Sequence, residues 1–146
     1  MKGIPMTTAT LTKLLQIAGL LHIGLFWAGA SMPKAVNLGA HLASLPSFIR
    51  RLFFVYFSFI ALVLAGFGCL TYIFAASIAA GEPVARALCI LLTVFWMFRL
   101  VVAVFVFDVR PYLTNGFYRL GYWGLNLVFS YLVAVYVLAV WKGGRL

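Results

Sequence analysis

The chain has 146 residues, of which 66% are hydrophobic and 9% charged, with a mean hydropathy of +1.13. Water-soluble domains run about 45–50% apolar and about 25% charged, and disordered chains are poorer still in apolar residues, so both classes are excluded. Eleven Lys and Arg stand against two acids, a net charge of +9, but these cations are spread along the chain rather than clustered, which argues against a nucleic-acid partner.

Four apolar runs follow one another, at about 13–31, 52–80, 84–107 and 117–141. Each reaches the roughly 20 residues that a membrane-spanning helix needs. They lack the alternation of barrel strands, so the expected fold is all-α: an integral membrane four-helix bundle, one domain over 1–146. Lys2 and Lys13 before an apolar stretch ending in Ala28, Gly29 and Ala30 also fit a secretory leader, but the run is read as a first transmembrane helix. Between the first two spans, Pro33 and Pro46 bracket a segment in which Val36, Leu38, Leu42 and Leu45 alternate loosely with Lys34, Asn37 and His41. That pattern predicts a short interfacial helix.

The second run is long, about 42 Å at helical rise, so it should tilt or protrude. It carries Ser58, Ala61, Ala65, Gly68 and Tyr72 at 3–4 spacing, a face suited to close helix packing. Gly81, Glu82 and Pro83 form a turn into the third helix, where Glu82 and Arg86 stand at pairing distance. Pro111 ends the third run near Asp108, and Thr114, Asn115 and Gly116 turn and cap the fourth. Gly121 and Gly124 mark a second small-residue face. Cys69 and Cys89 sit in apolar runs at different depths and are expected as buried, unbridged thiols. No metal motif and no cofactor are expected: a haem held by two histidines would need His41 at the depth of His22, and His41 lies in the first connection.

With four spans, both termini and the second connection share one side, and the first and third connections share the other. Lys2, Lys13, Arg86, Lys142 and Arg145 fall on the first side; Lys34, Arg50, Arg51, Arg110 and Arg119 fall on the second. Five against five leaves orientation to a weak preference for cytoplasmic termini in a bacterial inner membrane. The uncharged polar residues are less even. They gather toward the first and third connections, the loop end, whereas the opposite half is hydrocarbon apart from Gln16, Thr71, Tyr72 and Thr93.

Counting from the ends places His22, Arg99 and Asn126 about 13–17 Å below the loop end, near mid-membrane. In the fourth helix Arg119, Tyr122, Asn126 and Ser130 share one face. A cation at mid-membrane is expensive and needs carbonyls, a polar layer, water or an outside anion. Arg99 is thus read either as structural glue toward Asn126, Tyr122 and backbone, or as the holder of an anionic ligand group. Arg110, Arg119 and Arg50 then stand near the mouth, with His41. Conduction of ions or protons would need an acid relay the chain lacks. His22 is read as a packed residue or as part of that binding layer.

The expected function is a small multi-pass membrane protein, an accessory subunit or a binder of an anionic, lipid-like amphiphile. Its expected partners are membrane lipids, other membrane subunits or further copies of itself. A second reading comes from likeness. Length, four helices, basic charge, the stretch Ala40, His41 and Leu42 through Leu45, Pro46, Ser47 and Phe48, and Arg99 resemble the membrane-associated proteins of eicosanoid and glutathione metabolism. The resemblance implies a glutathione transferase-like enzyme in which Arg99 or Arg119 stabilises a thiolate. The chain departs from that family where an acidic residue should follow the Asn of the first connection; none follows Asn37.

Overall fold

In a computed structural model, which describes residues 7–106 and 115–143, every regular element is helical. They are α1 (Thr8–Ala35), α2 (Leu38–Ala43), α3 (Ser47–Ile73), α4 (Ala75–Ala80), α5 (Pro83–Phe105) and α6 (Gly116–Gly143). Four of these, α1, α3, α5 and α6, are long and apolar enough to cross a membrane. The architecture is the all-α, four-span membrane bundle expected, with α2 as the short segment between the first two spans.

The helix ends follow local chemistry. α1 runs past Pro33 to Ala35, beyond the end of its apolar run. Asn37 then turns the chain with φ 49°, in the left-handed region that Asn tolerates better than most side chains, and α2 begins. So Asn37 serves a turn, and α2 is held down by its buried Leu42. The long second run does not continue as one rod. It breaks at Phe74, whose φ of −95° and ψ of 17° leave the helical range, and α4 resumes as a separate short helix. Even so, α3 alone has 27 residues, about 40 Å at helical rise, which is longer than a hydrocarbon core of about 30 Å. α4 closes in a Schellman motif: Gly81 N–H donates to Ile78 O, Glu82 N–H donates to Ser77 O, and Gly81 has φ 79°. Pro83 starts α5 in the position where its missing N–H costs nothing. The loop around Asp108 and Pro111, including Arg110 and Thr114, lies outside the described residues.

α1 is the centre of the bundle. It packs chiefly on α3 and also on α4 and α6, while α5 packs chiefly on α6. The tightest contact is between α1 and α3. A Cβ placed on Gly19 would stand 2.8 Å from Tyr72 Cβ and 2.9 Å from Gly68 O; one on Gly68 would stand 2.9 Å from His22 Cβ. Gly68 and Tyr72 were expected on a packing face; Gly19 is what they pack against. Gly121 and Gly124 do not form a second such face, because nothing lies within 4 Å of a Cβ at either. Cys89 is buried, but Cys69 is exposed on the outside of α3, contrary to the expectation of two buried thiols; both are free. Glu82 and Arg86 are both exposed, and the Arg86 N–H donates to the Glu82 carbonyl.

Burial divides the bundle across its length. At the terminal end, Leu11, Leu15, Ala18, Ile78, Ala79, Leu92, Leu132, Tyr136 and Ala139 form a closed core. Toward the loop end that core stops. α3 buries only Gly68 and Thr71. No described side chain of α1 beyond Leu25 is buried, and in α5 only Ala103 is buried beyond Trp96. Among the described side chains of α6, burial begins at Phe129. The bundle is therefore packed in its terminal half and open in its loop half.

Candidate functional site

The boundary between the two halves is built of polar and aromatic side chains. His22, on α1, is fully buried. Its Nδ1 lies 2.7 Å from Ala18 O, and its Nε2 lies 3.0 Å from Trp96 Nε1. An indole N–H can only donate, so Nε2 is the bare nitrogen and Nδ1 carries the proton given to Ala18 O. Both ring nitrogens are thus engaged within the protein, and the bond to Trp96 ties α1 to α5. The rings meet edge-on at 5.0 Å, and Tyr136 meets His22 edge-on at 6.1 Å. Tyr136 in turn shares a 2.9 Å hydrogen bond with Thr71 of α3. Four helices are joined in this one layer. Tyr131 adds a bond from its hydroxyl to Leu14 O, 3.1 Å, between α6 and α1.

The Thr71–Tyr136 bond uses one of the few polar residues expected in the hydrocarbon half, and its two ends respond differently to substitution. A threonine left alone can turn its hydroxyl to the carbonyl four residues back, whereas a tyrosine hydroxyl at the end of a rigid ring cannot re-aim. We expect Thr71→Val to lower stability in detergent by about 1 kcal/mol and Tyr136→Phe by less, with the double substitution near the single Thr71→Val or better. Equal losses for the two single variants would remove the asymmetry argued here.

One turn nearer the loop end the second part of the site begins. Trp96 stacks on Phe129 of α6 at 5.4 Å and 28°. The Arg99 guanidinium lies over the same Phe129 ring, its Cζ 5.0 Å from the centroid. Arg99 is half-buried and its Nη1 is enclosed by protein atoms. Asn126 stands three residues before Phe129, on the adjacent turn of the same face. Its Nδ2 donates to Tyr122 O at 2.9 Å, and its Oδ1 is enclosed with no hydrogen-bond partner among the described residues. Ser130 Oγ bonds the backbone carbonyl of Asn126, not its side chain. Thus Arg99 lies over Phe129 and Asn126 bonds the Tyr122 carbonyl nearer the loop end of the same helix, while His22 belongs to the layer of Trp96 and Tyr136.

The remaining predicted site residues lie outward. Arg50 lies in the first turn of α3 and is exposed, as are His41 on α2 and Arg119 in the first turn of α6; Arg110 lies outside the described residues. Trp96 and Phe129 were not predicted as site residues. The depth count that singled out His22 also reaches Trp96, three residues before Arg99, so the signal for it was present. An open apolar depression at the other end, lined by Ile90, Thr93, Val94, Val137, Val140 and Trp141, includes none of the predicted site residues. Among the described residues, no three His, Cys, Asp or Glu side chains stand together as a metal site would need. Neither a family model, nor a curated protein, nor a solved structure matches the chain.

Proposed function

We propose that this protein binds an anionic amphiphile in the open loop half of its bundle, with the anionic group at Arg99. The observation that carries this reading is the Arg99 guanidinium set over Phe129, 5.0 Å away, at the inner limit of the unpacked half. A cation at membrane depth costs from about 2.5 to more than 10 kcal/mol by different measures. A cation–π contact offsets about 0.5–2 kcal/mol of such a cost. A guanidinium also carries five N–H donors in a planar fork, a geometry that suits an anionic phosphate or carboxylate group. The apolar part of the ligand has surface to lie on: Phe98 and Phe105 of α5 and Leu120, Trp123 and Leu127 of α6 are all largely exposed. Arg50, Arg51 and Arg119 at the loop end draw anionic headgroups inward, at about 1 kcal/mol for each cation near the surface.

The test is lipid retention. Purified protein is reconstituted in nanodiscs of phosphatidylcholine containing a minor share of phosphatidylglycerol, re-extracted in mild detergent, and its bound lipid is counted by native mass spectrometry. We expect phosphatidylglycerol to be enriched over its share, and Arg99→Leu to reduce that enrichment about tenfold. Leucine is better solvated by lipid than arginine is, so this variant should keep its fold. Retention of both lipids in proportion to their supply, or retention unchanged in Arg99→Leu, would sink the reading.

A further inference from the structure

We infer that the open depression at the terminal end is a second lipid site, which seats one acyl chain of a zwitterionic phospholipid from the leaflet on that side. It stands apart from the reading of Arg99, which lies farther along α5 toward the loop end. The depression holds about 310 Å³ between Ile90, Thr93 and Val94 of α5 and Val137, Val140 and Trp141 of α6. Both sets follow i, i+3, i+4, so each is one face of its helix, and α5 packs chiefly on α6. Ile90, Val94, Val137 and Trp141 are exposed, which leaves this furrow open along its side. Its one hydroxyl, Thr93 Oγ1, gives its proton to Cys89 O at 2.8 Å within its own helix. The walls are otherwise almost wholly apolar.

Size and charge order name the occupant. A dry cavity of about 150 Å³ takes the six carbons of benzene, so the furrow matches about twelve carbons of chain. A neighbouring helix, about 10–12 Å across, would rest on such a furrow rather than enter it. Arg86 precedes Ile90 by one turn on the same face and is exposed; Glu82, also exposed, precedes Arg86 by one turn more at the start of α5. From Arg86 to Val94 the face runs about 12 Å, most of the roughly 15 Å of hydrocarbon in one leaflet. Inward from water the order is therefore acid, cation, hydrocarbon. A phosphatidylcholine presents the complement in the same order: ammonium, phosphate, chain. An exposed Glu–Arg pair at this spacing is weak and does not keep either partner from the headgroup. Lys142 is turned about 100° from Trp141 around α6, away from the furrow.

The test uses the Arg99→Leu protein, which isolates this site from the one in the loop half. It is reconstituted in nanodiscs of phosphatidylcholine alone, and retained lipid is counted as above. We expect one phosphatidylcholine per chain to persist. Val94→Trp fills the furrow with an indole and should cut that occupancy about tenfold. Leu91→Trp adds the same indole at an exposed position outside the furrow and should leave it unchanged. Arg86→Gln should lower it about fivefold. In nanodiscs of equal phosphatidylcholine and phosphatidylglycerol, the Arg99→Leu protein should retain phosphatidylcholine about threefold over phosphatidylglycerol, and Glu82→Gln should abolish the preference. No retained lipid in Arg99→Leu, or equal retention in Val94→Trp and Leu91→Trp, overturns the site. Phosphatidylglycerol retained at or above phosphatidylcholine overturns the zwitterionic occupant. All these substitutions replace exposed side chains, so the fold survives to be tested.

Discussion

Gly19→Leu or Gly68→Leu should prevent α1 and α3 from pairing, and little folded protein should survive extraction in mild detergent. Even the first carbon of a side chain has no room at either position. At Gly19 it meets Tyr72 Cβ at 2.8 Å and the Gly68 carbonyl at 2.9 Å; at Gly68 it meets His22 Cβ at 2.9 Å and the Gly19 carbonyl at 3.0 Å. These are backbone atoms and Cβ atoms, which cannot swing aside as a flexible side-chain tip can. The helices must move apart, and membrane helices associate through just such close van der Waals contact. The alanine variants at the same positions should lose about 1–3 kcal/mol, the usual range for overpacking, and the leucine variants more. Gly24→Ala, Gly121→Ala and Gly124→Ala supply the contrast. They meet nothing within 4 Å, and alanine is the better helix former by about 1 kcal/mol, so they should be neutral or stabilising. The measurement is the thermal midpoint in detergent and the folded fraction by size exclusion. A Gly19→Ala protein as stable as Gly24→Ala would show that the α1–α3 contact does not hold the bundle together.

Trp96→Ala is the second large effect. Trp96 is 2% exposed. It donates to His22 Nε2, meets the His22 ring edge-on and stacks on Phe129. In a core assembled from water, removing a tryptophan side chain costs about 3–5 kcal/mol. Here the unfolded helices sit in lipid, which solvates indole well, so the transfer part of that cost largely drops out. The cavity, the lost stacking and the stranded imidazole nitrogen remain, for an expected loss of about 2–3 kcal/mol. Trp96→Phe keeps most of the volume and removes only the N–H. It should lose about 1 kcal/mol, and His22→Leu in that background should cost little more. Equal losses for Trp96→Phe and Trp96→Ala would mean that the hydrogen bond, not packing, is what the indole contributes. Trp96→Ala should also weaken lipid retention, because Phe129, the platform under Arg99, loses the ring it rests on.

The spans were legible because lipid imposes one rule on the whole chain: long apolar stretches that satisfy their own backbone. The turn at Gly81 through Pro83 and the short helix around Leu42 were legible from punctuation residues. Depth was legible too, since a helix advances by a constant rise, and that count brought Arg99 and Asn126 to one level. Rotation about each helix axis was not. In water the buried face declares itself by being apolar, whereas in a membrane the outward face is equally apolar. Hence Cys69 reads like Cys89 although one is exposed and the other buried, and Gly121 reads like Gly68 although one is open and the other clasped. The same blindness hid the bond from Trp96 to His22 and the one from Tyr136 to Thr71. Polar atoms, being rare here, are the only markers of rotation. They single out Arg99, which is set over Phe129, Asn126, which bonds the Tyr122 carbonyl, and His22, but they do not disclose that both His22 nitrogens are taken.

The paired glycines act on the loop end as the fulcrum of a long lever. From Gly68 back to the start of α3 at Ser47 the arm is about 31 Å, and from Gly19 forward to the end of α1 at Ala35 it is about 24 Å. A change of about 5° in the crossing angle therefore displaces the far end of α3 by nearly 3 Å, roughly the width of a water molecule, while the closed core beside the fulcrum scarcely shifts. The spacing of α1 and α3 at the loop end is thus set by two residues in the tight contact between them. In Gly19→Ala, altered lipid retention should accordingly appear in protein that still elutes as folded.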